Sequence, residues 1–207
     1  MSLKKDGYLS RLIDEKIRRY LKIFGAISIE GPKWCGKTWT GLNHANSVTY
    51  MTEKSQRDMA GIDPKYVFLP DRPQLIDEWQ IVPGIWDAVR HECDNSRDKG
   101  KFILTGSTSL NSISSDEVFH SGTGRIATIR MHTMSLYESG DSTGKASISD
   151  MLKGQLKEGH TGKVELDKLA HLIVRGGWPE NIDMPDNDIG IIPKSYIDTI
   201  VAKDMHE

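Results

Sequence analysis

Gly31-Pro32-Lys33-Trp34-Cys35-Gly36-Lys37-Thr38 follows the short apolar run Ala26-Ile27-Ser28-Ile29-Glu30 and fits the spacing G-x-x-x-x-G-K-[ST]. Its residue types answer one chemical demand, a bed for phosphate oxygens. Gly31 and Gly36 permit the backbone angles that turn successive N–H groups inward. A helix starting at the end of the stretch adds free N–H groups and the positive end of its dipole. Lys37 can reach β- and γ-phosphates, and Thr38 can offer a hydroxyl to Mg²⁺. The candidate nucleotide-binding residues are therefore Gly31, Pro32, Lys33, Trp34, Cys35, Gly36, Lys37, Thr38 and Trp39. Two features, Trp34 and Gly41, are unusual for such a loop. Trp34 is bulky, so its ring is expected to point away from the phosphates or to stack. Cys35, close to a helix start and a lysine, is expected to have a lowered thiol pKa, although filling space in the loop is the simpler role. Gly41 should weaken the following helix by roughly 1 kcal/mol relative to Ala.

Outward from this loop, strand and helix patterns alternate. Apolar runs at Ser47 to Met51, Gln74 to Ile76, Lys101 to Thr105 and Ile126 to Met131 read as further strands. Leu9, Leu12, Ile13, Ile17, Tyr20 and Leu21 form a helical stripe over Leu9 to Phe24, with Lys16, Arg18, Arg19 and Lys22 mostly on the solvated side. Ile85, Trp86, Val89 and Cys93 repeat that spacing after Pro83-Gly84. The alternation argues for βαβ units and a parallel sheet, an α/β fold. From Ser139 to Gly162 the chain is rich in Gly, Ser, Thr and Asp, which reads as a hinge or surface excursion. A helix over Leu166 to Ile173, a loop from Ile182 to Pro193 and a last helix from Ser195 to Met205 complete the pattern. The expected organisation is a core over 1–138, a hinge over 139–163 and a helical segment over 164–207.

Gln74-Leu75-Ile76-Asp77-Glu78-Trp79-Gln80 ends a strand in two carboxylates. An acid at that place can orient Mg²⁺, and the next one can draw a proton from an attacking water. Asp77 is thus a candidate metal residue beside Thr38, and Glu78 a candidate general base, against the plainer reading of a solvated turn. One unit further on, Thr105-Gly106-Ser107-Thr108-Ser109 places hydroxyls where a γ-phosphate or the water would lie. Ser107 joins Lys37 and Glu78 among the catalytic candidates. His120-Ser121-Gly122-Thr123-Gly124-Arg125 immediately precedes the fifth strand, and Arg125 can stabilise transition-state charge on a neighbouring subunit's nucleotide. His120 can hydrogen-bond a phosphate, though a loop histidine is more often simply exposed.

Composition sets the bounds. With 27 basic and 29 acidic residues, the net charge of −2 gives no support to a general nucleic-acid-coating protein. No apolar stretch is long enough to span a membrane, and the first residues lack the apolar core of a signal peptide. Cys35 and Cys93 are too few for a disulfide framework or a four-cysteine zinc site. These bounds describe a soluble, cytoplasmic protein of mixed class.

The quoted segments, together with Met134-Ser135-Leu136-Tyr137-Glu138-Ser139-Gly140 and Gly176-Gly177-Trp178-Pro179-Glu180, resemble a prokaryotic AAA+-type P-loop ATPase group. The resemblance covers essentially the whole chain. It implies a P-loop NTPase three-layer sandwich with a parallel five-stranded sheet, the phosphate-loop strand lying between the fifth strand and the sensor strand. It also implies a partial helical C-terminal part that stops short of a further domain. ATP and Mg²⁺ are the implied cofactors, with Thr105 or Ser107 as polar sensor and Arg125 as arginine finger of a homo-oligomer. Arg175 is implied as a lid-side nucleotide contact. The implied partner is the absent C-terminal domain or an unidentified protein. Three functions follow as alternatives: an Mg²⁺-dependent ATPase that moves a partner, a nucleotide-gated switch with little turnover, and, less supported by charge, a nucleic-acid-linked activity. A small-molecule kinase fits the Asp77-Glu78 pair least well.

Overall fold

The three inner strands of the sheet are apolar on both faces, the pattern demanded where helices cover a parallel sheet on either side. The computed structural model describes residues 3–107, 121–155 and 163–203. Within them β1 (Ala26–Glu30), β2 (Ser47–Tyr50), β3 (Gln74–Asp77), β4 (Phe102–Gly106) and β5 (Ile126–Arg130) pair in parallel in the order β2-β3-β4-β1-β5. The loop-bearing strand β1 lies between β4 and β5, as the family resemblance implies.

Alternation along the strands sorts side chains into two cores. Ile76, Phe102 and Leu104 face Trp79, Trp86 and Val89, with α4 (Gly84–Asn95) and Ala60 of α3 (Lys54–Ile62) closing that side. Trp79 and Trp86 pack with ring centroids 4.9 Å apart. On the other side Ile27, Ile29, Leu75, Ile103 and Ile129 face Ile17 of α1 (Ile13–Leu21) and Leu42 of α2 (Lys37–His44). The result is the three-layer α/β sandwich.

Gly41 has a packing reason. A Cβ there would lie 2.8 Å from Leu75 Cδ1, so the glycine lets α2 settle directly on β3. The lost helix propensity is offset by close contact with the sheet.

The first helix is shorter than its stripe. Leu9 and Leu12 are exposed, and the entry to α1 buries Arg11 and, in the first turn, Asp14 instead. Asp14 Oδ2 accepts the backbone N–H of Arg11 at 2.9 Å, and its Oδ1 accepts the Tyr8 hydroxyl at 2.8 Å. Such side-chain-to-backbone bonds hold a chain in a non-helical entry.

The chain divides into two compact units, Met1–His132 and Thr133–Glu207. The second unit contains α5 (Ile148–Leu152), α6 (Leu166–Arg175) and α7 (Ile191–Lys203). Helix α5 lies inside the stretch read from composition as hinge, its start capped by the Ser147 side chain. Helix α7 begins at Ile191, earlier than the expected Ser195, and takes in Pro193 in its first turn. Proline is tolerated there because a first-turn N–H has no intrahelical acceptor. Helix α6 stops at Gly176, whose φ of +64° suits glycine.

Candidate functional site

Parallel strands bring their carboxyl ends to one edge, and three of those ends carry the chemistry. Directly after β1 the chain turns through Trp34 at φ +65° and Gly36 at φ +98° before entering α2 at Lys37. Left-handed residues in a loop of this kind turn successive N–H groups toward a common centre. No side chain caps the start of α2 and no acid occupies its first turn, which leaves the positive helix end available to an anion. Gly31 is required by space, since a Cβ there would lie 2.1 Å from the Met131 carbonyl oxygen.

Lys37, buried at 6% exposure, bends back over the loop and donates from Nζ to the carbonyls of Gly31 at 3.0 Å and Pro32 at 2.9 Å. Its ammonium group is therefore held against the first two residues of the loop. Thr38, the next residue of α2, donates its hydroxyl to Asp77 Oδ1 at 2.9 Å. Thr105 of β4 donates to the same oxygen at 2.6 Å. Loop helix, acidic strand and polar strand thus meet at one carboxylate.

Glu78 stands just beyond β3 at φ +56° and accepts a hydrogen bond from Gln80 Nε2. Gly106 makes room for this pair: a Cβ there would fall 2.4 Å from Gln80 Oε1. Ser107 is half-buried at the end of β4, two residues beyond Thr105, and the hydroxyl that reaches Asp77 belongs to Thr105. Pro32 and Lys33 are exposed, as are Trp34 and Trp39 at 53% and 44%.

Cys35 corrects one expectation. Its thiol is fully buried, and that burial pushes its pKa up despite the nearby charges of Lys37 and Arg11. The local rule of helix start plus lysine is overridden by desolvation, which disfavours the thiolate. The residue packs among Ile29, Leu42 and Met131 as a space-filler.

Sequence reasoning passed over two residues. Gln80 was visible only as part of the acidic segment. Arg11, before α1, donates to the carbonyls of Cys35 and His132. The signal available for Arg11 was its place between Tyr8 and Asp14 at three-residue spacing, which sets three polar side chains on one side of the entry to α1.

Arg125 sits at the opposite edge of the sheet. Its carbonyl accepts the N–H of Ala26, the first residue of β1, and its guanidinium pairs with Asp94 near the end of α4. That pairing holds the Asp94 carboxyl below its ordinary value. Beside the pair lies a cavity of about 410 Å³ lined by Gly25, Cys93, Asp94, Arg97, Lys99 and Arg125 among others. Burial pushes the Cys93 thiol up to about 11. His120, Thr108 and Ser109 lie outside the described residues. Arg175 of the second unit donates to Asp141 Oδ2 at 2.7 Å and Ser139 Oγ at 3.2 Å. Its guanidinium is engaged within its own unit, where the sequence had suggested a nucleotide contact.

The family model described as "AAA domain" matches residues 24–140, more than half of the chain. The chain belongs to that family. Membership makes it a P-loop protein of the nucleotide-binding AAA+ type, with the loop at Gly31–Thr38 inside the matched span. Among solved structures, the ORC2 protein of Aeropyrum pernix in its ADP form is similar at 14% identity over 97% of this chain and 67% of that one, with a TM-score of 0.42. PCH-2 of C. elegans is similar at 15% identity over 75% of this chain and 48% of that one, with a TM-score of 0.32. No curated protein matches the chain. Among the described residues no helix is long and apolar enough to cross a membrane.

Proposed function

We propose that the chain binds ATP with Mg²⁺ at Gly31–Thr38 and hydrolyses it, driving a conformational change in a partner protein or domain. The observation that carries this reading is the double hydrogen bond to Asp77 Oδ1 from Thr38 and Thr105. It sets a carboxylate and two hydroxyls beside the loop lysine, the arrangement in which hydrolysis of a bound triphosphate needs its polar groups.

The donor set also suits the ion. Mg²⁺ prefers oxygen ligands, takes one or two protein carboxylates and leaves its remaining positions to water and phosphate. Thr38 and Asp77 are the residues that would hold it; when bound it neutralises charge on the phosphate oxygens. Lys37 exchanges its loop carbonyls for phosphate oxygens. Glu78 accepts the proton of the attacking water, with Gln80 fixing one of its oxygens. Thr105, and Ser107 beyond it, hold the water or the γ-phosphate. Arg125 is too far round the sheet to serve its own loop, so its role as an arginine finger is toward a second copy's nucleotide.

Phosphate release by wild type, Lys37→Ala and Glu78→Gln tests the reading. Lys37→Ala is expected to lose binding and turnover together. Glu78→Gln is expected to keep binding while turnover falls on the order of a hundredfold or more. Equal rates in all three would reject it. One arrangement favours a slower variant of the same function: Gln80 engages Glu78, and Asp94 engages Arg125. On that reading the isolated chain is a nucleotide-gated switch, and titration calorimetry would show tight ATP binding with negligible turnover.

A further inference from the structure

Arg11 is 7% exposed, although arginine is seldom buried without a purpose for its charge. Nη1 donates to the Cys35 carbonyl at 2.7 Å and Nη2 to the His132 carbonyl at 2.8 Å. Cys35 lies between the two left-handed residues Trp34 and Gly36. A backbone that turns its N–H groups to one side of a loop turns carbonyls to the other. Cys35 is fully buried, so its carbonyl must find a donor inside the protein.

His132 belongs to the chain leaving β5, which already meets the start of the loop. The Met131 N–H donates to the Glu30 carbonyl at 2.7 Å, and the Met131 carbonyl is the group that excludes a side chain at Gly31. A single planar guanidinium therefore ties the middle of the loop to the strand end beside its first residue. Lysine, a point charge on a flexible stem, does not reproduce such a fork.

The neighbours of Arg11 grip the helix beyond the loop. The Tyr8 hydroxyl stands 3.4 Å from Thr40 Oγ1, and Asp14 Oδ1 is 2.8 Å from His44 Nε2. These contacts anchor α2, whereas Arg11 reaches the Cys35 carbonyl of the loop. We propose that Arg11 is a positioning residue for the phosphate loop: it fixes the Cys35 carbonyl outward, aims the loop N–H groups, and so sets nucleotide affinity without touching the nucleotide. The proposal rests on the reading of Gly31–Thr38 as the nucleotide site.

The test measures the ATP dissociation constant by calorimetry, alongside thermal stability with and without Mg-ATP. It uses the full chain as wild type, Arg11→Met, Arg11→Lys, Tyr8→Phe and Lys37→Ala. Loss of a charge-assisted hydrogen bond at the loop corresponds to affinity falling by on the order of tenfold or more in Arg11→Met, with Arg11→Lys between it and wild type. Tyr8→Phe lowers stability but keeps wild-type affinity, which separates loop positioning from general loosening of the segment. Wild-type affinity in a folded Arg11→Met would overturn the proposal while leaving the nucleotide site in place. Absence of binding in wild type would instead reject the site. For that case, and should Arg11→Met not fold, amide hydrogen exchange of residues 34–38 without nucleotide decides. Exchange at least tenfold faster in Arg11→Lys supports the proposal, and unchanged exchange overturns it.

Discussion

At the carboxyl ends of the strands Lys37, Asp77, Thr105 and Arg11 are each at most 7% exposed, and every one is hydrogen-bonded to a partner in the loop, in α2 or on a strand. At the amino ends of the same sheet the Arg125 side chain is 51% exposed, and Asp94 beside it is exposed as well. Burying charge costs several kcal/mol per ion unless hydrogen bonds replace the lost water. The buried groups are therefore tolerated only in one arrangement, which makes that edge preorganised for whatever it binds. The solvated pair at the other edge has no such commitment. Surface ion pairs contribute little, so Arg125 can exchange Asp94 for another anion at small cost.

Three substitutions would break or sharpen this contrast. The largest effect belongs to Gly31→Ala, whose new methyl would meet a backbone oxygen unable to step aside. A destabilisation of about 3 kcal/mol is expected, a fall in Tm of roughly 6–12 °C for a chain of this size by calorimetry. An unchanged Tm would show that this edge has slack.

Next comes pH. Burial pushes the Asp14 carboxyl up, but hydrogen bonds from His44, the Arg11 N–H and Tyr8 outweigh it and hold the pKa below its ordinary value. A folded value below the unfolded one, near 4, stabilises the protein at neutral pH. That contribution is lost as pH falls through the folded value. Asp14→Asn should therefore melt below wild type at pH 7, with the gap narrowing below about pH 4. A gap independent of pH would remove the carboxylate from the account.

The smallest structural effect is expected from Arg125→Ala, which should leave Tm and ATP affinity unaltered. Its signature is kinetic: turnover per chain rises with protein concentration in wild type and stays flat in the variant. Weakened ATP binding in the dilute variant would place Arg125 at its own site and contradict the contrast.

The loop and the strands were legible because their signals are local. Gly31 to Thr38 carries its chemistry in eight consecutive residues, and each inner strand announces itself by an apolar run closed by a polar end. Asp77 could be found the same way. The contacts of Arg11 could not, since its two acceptors lie 24 and 121 residues away and only its spacing from Tyr8 and Asp14 shows locally. Cys35 misled because charge proximity can be read from neighbours in sequence, whereas burial is decided by β5 and α2 folding over it. The late start of α1 against the Leu9 stripe has a similar origin, as Asp14 in its first turn spends its oxygens on the Arg11 N–H and the Tyr8 hydroxyl. The start of α7 was obscured by Pro193, which marks a loop in sequence but fits a first helical turn equally well.

The glycine at position 41 has a mechanical consequence. With no side chain on Gly41, the methyl groups of Leu75 pack directly against the backbone of α2, and close-packed contacts transmit displacement instead of absorbing it. The helix that begins at the loop is thereby coupled by direct contact to the strand that ends in Asp77. A shift of the loop against an anion would be felt at Glu78, one residue past the end of that strand, with little lost on the way.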